Sequence, residues 1–272
     1  MGEKIKSMYS KIKLLSKYIS YCISASNGKG HGVHSPFVFE FISKVLNDTI
    51  DYSCYASIEN LRNELKNNNS VITIEDFGAG SRVIKQKQRM VSAIATSSLK
   101  PKKFAQLLFR MVHFYKPSSV IELGTSLGIT TAYLASAENK IPVITMEGAK
   151  EIAAVAKNNF EKLGLKNIEV VEGNFDETLP STLNKFDSID FAFVDGNHRR
   201  EPTISYFEQI LARANNNSIF IFDDIHWSAE MEEAWEIIKA NNAVTLTVDL
   251  FYIGIVFFRN QQKERQHFTI RF

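Results

Sequence analysis

The chain has 272 residues, 44% of them hydrophobic and 23% charged, which excludes a disordered chain and allows one large α/β domain with an extension. Lys and Arg number 32 against 30 Asp and Glu, and a formal charge of +2 gives no global field to hold nucleic acid or an anionic membrane. Two cysteines, Cys22 and Cys54, exclude a disulfide framework, and without an apolar stretch long enough for a signal segment or a membrane span the expected location is cytoplasmic.

Helical spacing of Ile5, Met8, Tyr9, Ile12, Leu15 and Ile19 predicts a helix over 3–25 whose apolar face must be buried. Lys4, Lys6, Lys11, Lys13 and Lys17 form its other face, which reads as solvated because clustered Arg and interleaved exposed aromatics are missing. Three glycines in 27–33 break the helix; Ser35 as N-cap and Pro36 at the first position restart one that runs to about Leu46. His31 and His34 have no acidic or cysteine neighbour in sequence, so a structural or lid role is expected and not metal ligation. Residues 71–74 lead into a glycine-containing run, 75–80, that imitates a phosphate-binding loop. The basic, polar stretch 81–88 is not the apolar helix such a unit needs, and helices are predicted over 85–95 and 102–115 instead. Residues 1–100 therefore read as a mainly helical N-terminal extension, suited to lid, substrate or oligomer contacts.

From 101 to 272 the pattern is that of one further domain. Apolar runs at 120–123, 143–146, 168–171, 191–194 and 219–222 alternate with helical segments, which predicts a doubly wound parallel sheet. Two β-rich runs, 243–249 and 253–258, and an extended tail, 266–272, close it with an antiparallel hairpin. The expected fold class is α/β, Rossmann-like, with a mostly parallel seven-stranded sheet.

The sharpest local signal is Glu122-Leu-Gly-Thr-Ser-Leu-Gly128, between the first of these strands and a helix. Gly124 permits a tight turn, and Gly128 would let a ligand approach the helix N-terminus. The spacing is neither GxGxxG nor a P-loop, so pyrophosphate is not the expected guest. Glu147 ends the second strand, where a carboxylate can accept from both ribose hydroxyls of a nucleoside; a solvated strand-end acid is the plain alternative. Gly173, Asn174 and Phe175 follow the third strand and could line a base.

The fourth and fifth strands end in Asp195 and in Asp223-Asp224, three carboxylates suited to a hard divalent cation. Helix capping competes with that reading: Asp224 could cap a helix starting near Ser228, and Asp195 one opened by Glu201-Pro202. His198 is placed to take up a proton near neutrality, with a surface histidine as the alternative. Tyr206 and Phe207 read as core or cleft wall, and Trp227, Phe251 and Tyr252 as acceptor-pocket wall or packing.

With these residues in place, the chain from about Pro101 onward resembles class I S-adenosylmethionine-dependent methyltransferases, in particular the cation-dependent O-methyltransferases of the catechol, caffeoyl-CoA and macrocin type. The resemblance implies that Glu122, Gly124, Thr125, Ser126, Gly128, Glu147, Gly148, Asn174, Phe175 and Asp195 bind S-adenosylmethionine. It also implies that Asp195, Asp223 and Asp224 hold a divalent cation, magnesium, and that His198 and Asp195 are catalytic. The chain departs from the pattern at Asp224, where caffeoyl-type enzymes have Asn, at His198, which stands for a lysine base, and at Asn174, often an acid. The HGVHSPF stretch at 31–37 resembles a bacterial branch of the superfamily and is expected to select the substrate.

The implied activity is O-methylation of a small-molecule hydroxyl, with no membrane partner, nucleic acid disfavoured, and a homodimer left open. An RNA-modifying methyltransferase using the basic N-terminal helix is the alternative, and a non-catalytic cofactor-binding or scaffold protein the third. An N-methyltransferase is disfavoured because the fourth strand leads into Asp195-Gly-Asn-His, with no Pro-Pro-aromatic motif. The site residues are expected to meet around one crevice at the carboxyl rim of the sheet.

Overall fold

A computed structural model describes residues 8–76, 85–261 and 264–272, which divide into two units, 48–187 and 8–47 with 188–272. In chain order the N-terminal elements are α1 (Lys11–Ser24), α2 (Pro36–Phe41, continued by a π-helical turn, Ile42–Leu46), α3 (Cys54–Lys66), β1 (Val71–Asp76), β2 (Lys85–Met90), α4 (Val91–Ser98) and α5 (Lys102–Tyr115). They are followed by β3 (Val120–Leu123), α6 (Ile129–Ser136), β4 (Val143–Glu147), α7 (Lys150–Lys162), β5 (Ile168–Glu172) and α8 (Phe175–Leu183). The remainder is β6 (Phe191–Val194), α9 (Arg200–Leu211), β7 (Ile219–Asp223), α10 (Ala229–Ala240), β8 (Leu246–Asp249), β9 (Ile253–Phe257) and β10 (Gln266–Thr269).

In the unit 48–187, β3, β4 and β5 pair in parallel, with Val120 opposite Val143 and Val143 opposite Ile168. Every residue of β3 is buried, as continuous apolar strands in parallel sheets are. The amphipathic α5 buries Phe104, Leu107, Leu108 and Met111, as its periodicity predicts, and ends where Lys116 takes a left-handed φ of 48° before Pro117. Helix α3 buries Ile58, Leu61 and Leu65; its Arg62 is also buried, donating to Glu59 at 2.9 Å and to the Lys100 carbonyl at 2.8 Å.

The expectation for 85–95 is corrected here. Residues 85–90 form β2, antiparallel to β1 with Val71 opposite Met90, and only then does α4 begin. The alternation of Lys, Gln and Arg over 85–89 carries no helical apolar stripe, so pairing with the β-branched β1 decides its conformation. The glycine-containing run 77–80 lies outside the described residues.

In the unit 8–47 with 188–272, the strand order is β10-β8-β9-β7-β6. Strand β6 runs parallel to β7, whereas β9 is antiparallel to both β7 and β8, which gives the expected C-terminal hairpin. Beyond it β10 pairs in parallel with β8, so among the described residues this unit has five such strands and the other three, one more in all than the seven expected.

Helix α2 begins as its sequence predicts, on Ser35 as N-cap and Pro36 at the first position. Helix α1 departs from expectation. Tyr21 is its buried residue, packed with the C-cap Ala25 against Phe251, and the Tyr21 hydroxyl donates to the Ile270 carbonyl. Met8, Ile12, Leu15 and Ile19, expected to be buried, are exposed, and Ile5 lies outside the described residues. The tyrosines are held because Phe251 and the C-terminal backbone supply both ring contacts and an acceptor, which the aliphatic side lacks. Among the described residues no helix is long and apolar enough to cross a membrane.

Candidate functional site

The glycine loop after β3 is tied down on several sides. The N–H groups of Gly124 and Thr125 both donate to the Met146 carbonyl of β4 at 3.0 Å, and the Asn159 side chain of α7 donates to the Leu127 carbonyl at 2.9 Å. Gly124 has φ 110° and Ser126 φ 48°, so the turn is built from left-handed positions, a strain that persists only in an over-determined loop.

Glu122 lies beneath this loop, fully buried. Its Oε2 accepts from Thr131 of α6 at 2.5 Å and from Thr145 of β4 at 2.6 Å, and the Thr125 and Thr145 hydroxyls lie 2.6 Å apart. Glu122 thereby fixes strand, loop and helix to one another, and Thr131 and Thr145 are partners that sequence reasoning missed. Their signal was a polar residue inside an apolar strand, Val-Ile-Thr-Met, opposite Glu122 in the β3–β4 register.

Gly128 caps α6 at φ 81°, and a Cβ there would stand 2.5 Å from the Phe160 ring and 3.2 Å from Ala156. The space that this glycine leaves is taken by Phe160. Gly148, in contrast, has nothing within 4 Å of where its Cβ would be.

Glu147 ends β4 and reaches back to the loop. Its Oε2 accepts from the Ser126 N–H at 2.9 Å and its Oε1 from the Ala149 N–H at 3.0 Å. Burial pushes its carboxyl above the usual range, and the N–H donors of Ala149, Ser126 and Gly148 only partly offset that. A carboxylate held this way keeps lone pairs for two further donors, such as vicinal hydroxyls. Asn174 is the N-cap of α8, its side chain accepting from the Asp176 N–H, and Phe175 is the first helical residue.

Within the unit 8–47 with 188–272, acidic residues form a cluster of their own. Oxygens of Asp195 and Asp223 and a nitrogen of His198 lie within 4.8 Å of one another. The two carboxylates suit a hard divalent cation; Asp224, expected as a third ligand, is not in this group, and His198 takes its place there. His198 Nε2 is 3.5 Å from Asp195 Oδ1, and its Nδ1 is 4.0 Å from Asp224 Oδ2.

Neither capping alternative is what these acids do. Arg199 occupies the N-cap position of α9, and Ser228 caps α10 through its own hydroxyl, which accepts from the Met231 N–H. Asn197, His198 and Asp224 have φ of 67°, 22° and 54°, a concentration of left-handed non-glycine residues at these two strand ends. The Asn197 amide donates to the Tyr206 hydroxyl at 3.1 Å, so Tyr206, itself buried, supports the loop that carries His198.

A third group was not legible from the sequence. His226 stands with Nδ1 3.0 Å from Glu232 and Nε2 2.8 Å from Asp249. Burial lowers its pKa, but the two carboxylates more than compensate and hold it above the usual histidine range. Glu232 also accepts from the Tyr9 hydroxyl at 2.7 Å and from Lys17 at 2.8 Å, while the Tyr9 N–H donates to the Trp227 carbonyl at 3.1 Å. The segment carrying Asp224 is thus braced by the N-terminal helix across more than 200 residues of sequence. Phe251 packs on His226 and Tyr18 and is core, as its packing alternative had it.

A family model described as "Methyltransferase domain" matches residues 121–225, the stretch from the glycine loop to the acidic pair. No curated protein matches the chain. Among solved structures, the S-adenosylhomocysteine-bound methyltransferase PaMTH1 of Podospora anserina superposes with a TM-score of 0.57 at 12% identity, covering 96% of this chain and 100% of that one. An O-methyltransferase of Bacillus cereus in complex with S-adenosylhomocysteine gives 0.55 at 17% identity, covering 81% and 97%. The O-methyltransferase TomG of Streptomyces achromogenes, in complex with S-adenosylmethionine, gives 0.52 at 18% identity, covering 60% and 82%. At these identities the likeness is one of fold, and it bears out the Rossmann-like α/β class.

Proposed function

We propose that the chain moves a methyl group from S-adenosylmethionine to a hydroxyl of a small-molecule acceptor, with a divalent cation at the acceptor, a reading supported by the methyltransferase-domain match over 121–225. The observation that carries this reading is Glu147: a half-buried strand-end carboxylate, clamped by two backbone N–H groups beside a strained glycine loop, with lone pairs left for a ribose. The S-adenosylmethionine-bound and S-adenosylhomocysteine-bound proteins that share the fold support the same donor.

The sulfonium supplies an already electrophilic methyl, and a cation, when bound, lowers the pKa of an acceptor hydroxyl. The chain's own residues then have three tasks. The first is to hold the nucleoside: Glu147 accepts from the ribose hydroxyls, Ser126, Thr125 and Gly148 line the loop, Asn174 and Phe175 flank the base, and Glu122 keeps the loop in shape from below. The second is to hold the cation and orient the acceptor, with the grouped carboxylates of Asp195 and Asp223 as ligands and Asp224, on the far side of His198, as the third carboxylate of the expected set. The third is to take the acceptor's proton, at Nε2 of His198, with the Asp224 carboxylate 4.0 Å from Nδ1 to stabilise the imidazolium. Residues 1–100, with the 31–37 stretch, would select the acceptor, and a cytoplasmic location with magnesium belongs to the same reading.

Glu147→Gln tests the carrying observation. It removes the charge and one acceptor but keeps the shape, and affinity for S-adenosylhomocysteine should fall about 10- to 100-fold by calorimetry. The pH dependence follows from the raised carboxyl pKa. Glu147 takes up its proton at a higher pH than an ordinary glutamate, so wild-type affinity should begin to fall on acidification above the usual carboxylate range, and the Gln variant should lack that inflection. Equal affinity in both proteins would remove Glu147 from the cofactor site.

A further inference from the structure

Helix α1 buries one side and leaves a second apolar side uncovered. Tyr21 and Ala25 face Phe251, with Leu14, Tyr18 and Cys22 on the same cluster. On a different side Ile12, Leu15, Ile19 and Ile23 are 82%, 58%, 51% and 79% exposed. Steps of three and four residues align these four in one stripe, about 16 Å long at the helical rise. An aliphatic stripe this continuous is not the scattered exposure of an ordinary surface helix.

The charge around it is one-sided. Residues 8–39 contain Lys11, Lys13, Lys17 and Lys29 and neither Asp nor Glu. Lys11 and Lys13 are exposed, whereas Lys17 is turned back to Glu232. Tyr252, 37% exposed with its ring 6.0 Å from that of Tyr18, adds an amphipathic side chain beside the helix.

We propose that α1 is a membrane-surface helix: it lies in the interface of an anionic bilayer, the stripe in the acyl boundary and Lys11 and Lys13 on headgroup phosphates. An RNA would satisfy the lysines and leave the stripe in water. A second copy of α1 would cover the stripe but set like charges against each other, whereas an anionic lipid surface complements both features. The expectation of no membrane partner rested on a net charge of +2, a lysine face read as solvated and the lack of a spanning segment; a helix lying in the interface needs no span, and its local lysines need no global field.

The test is co-sedimentation of the full chain with vesicles of phosphatidylcholine alone and of phosphatidylcholine with about one third phosphatidylglycerol. Binding is expected to the anionic vesicles only, weakened by added salt. Ile12→Ser with Ile19→Ser should lower partitioning at least about tenfold with an unchanged thermal melt, since both side chains are already in water. Lys11→Gln with Lys13→Gln should give a smaller loss. Absence of vesicle binding overturns the proposal, and so does a serine variant that partitions like wild type. Light scattering separates the rival occupant: a dimer that the serine pair converts to monomer, without vesicle binding, assigns the stripe to a second copy.

Discussion

Asp195→Asn is expected to lower kcat for methyl transfer by about 1,000-fold or more, with affinity for S-adenosylhomocysteine within about twofold of wild type. Asp195 is one of the three groups whose ligand atoms lie within 4.8 Å, and its Oδ1 is 3.5 Å from His198 Nε2. The amide keeps the volume but removes a charged cation ligand and the carboxylate beside the proposed base together. A 1,000-fold loss corresponds to about 4 kcal/mol of barrier, within what a metal ligand and an acid–base partner supply jointly. Asp224→Asn should behave alike, since its carboxylate faces the other nitrogen of the same imidazole. Rates of S-adenosylhomocysteine release, with calorimetry on each variant, check both. Full activity in excess chelator would remove the cation from the account and leave His198 and its carboxylates as the acceptor machinery.

Gly128→Ala is expected to destabilise the protein by about 2–4 kcal/mol, through two causes that can be separated. The residue sits at φ 81°, where an alanine is strained, and its Cβ would overlap the Phe160 ring at 2.5 Å and 2.7 Å. For a chain of this size the melting temperature should fall by roughly 4–16 °C. In a Phe160→Leu background the packing part should shrink while the backbone part remains, so the two changes should be non-additive. A Gly128→Ala variant with a wild-type melt and weakened cofactor binding would restore the ligand-approach role that the sequence suggested.

The sequence located the candidate residues better than it explained them. The strands carrying Glu122, Glu147, Asp195 and Asp223 were legible because buried parallel strands are short apolar runs, and chemistry placed at their ends follows from that pattern. What each residue touches was not legible. Gly128 was read as room for a ligand, yet its neighbour is Phe160, 32 positions on, and no local spacing announces that contact. The Tyr9, Lys17, Glu232, His226 and Asp249 group failed for the same reason, since its members are brought together only by tertiary packing. Helix α1 shows the limit of periodicity most plainly. Its apolar spacing was correct, but amphipathicity does not say which apolar side the protein covers, and the tyrosines on Phe251 decided it. The strand β2 was missed because Lys and Gln are poor strand signals and its pairing with β1 overrode them.

Titration of S-adenosylhomocysteine into the purified chain tests the central claim most directly. The account predicts one site per chain in wild type, weakened in Glu147→Gln and retained in Asp195→Asn. No heat of binding in the wild-type chain across the micromolar to millimolar range, at a pH where Glu147 is ionised, would contradict it.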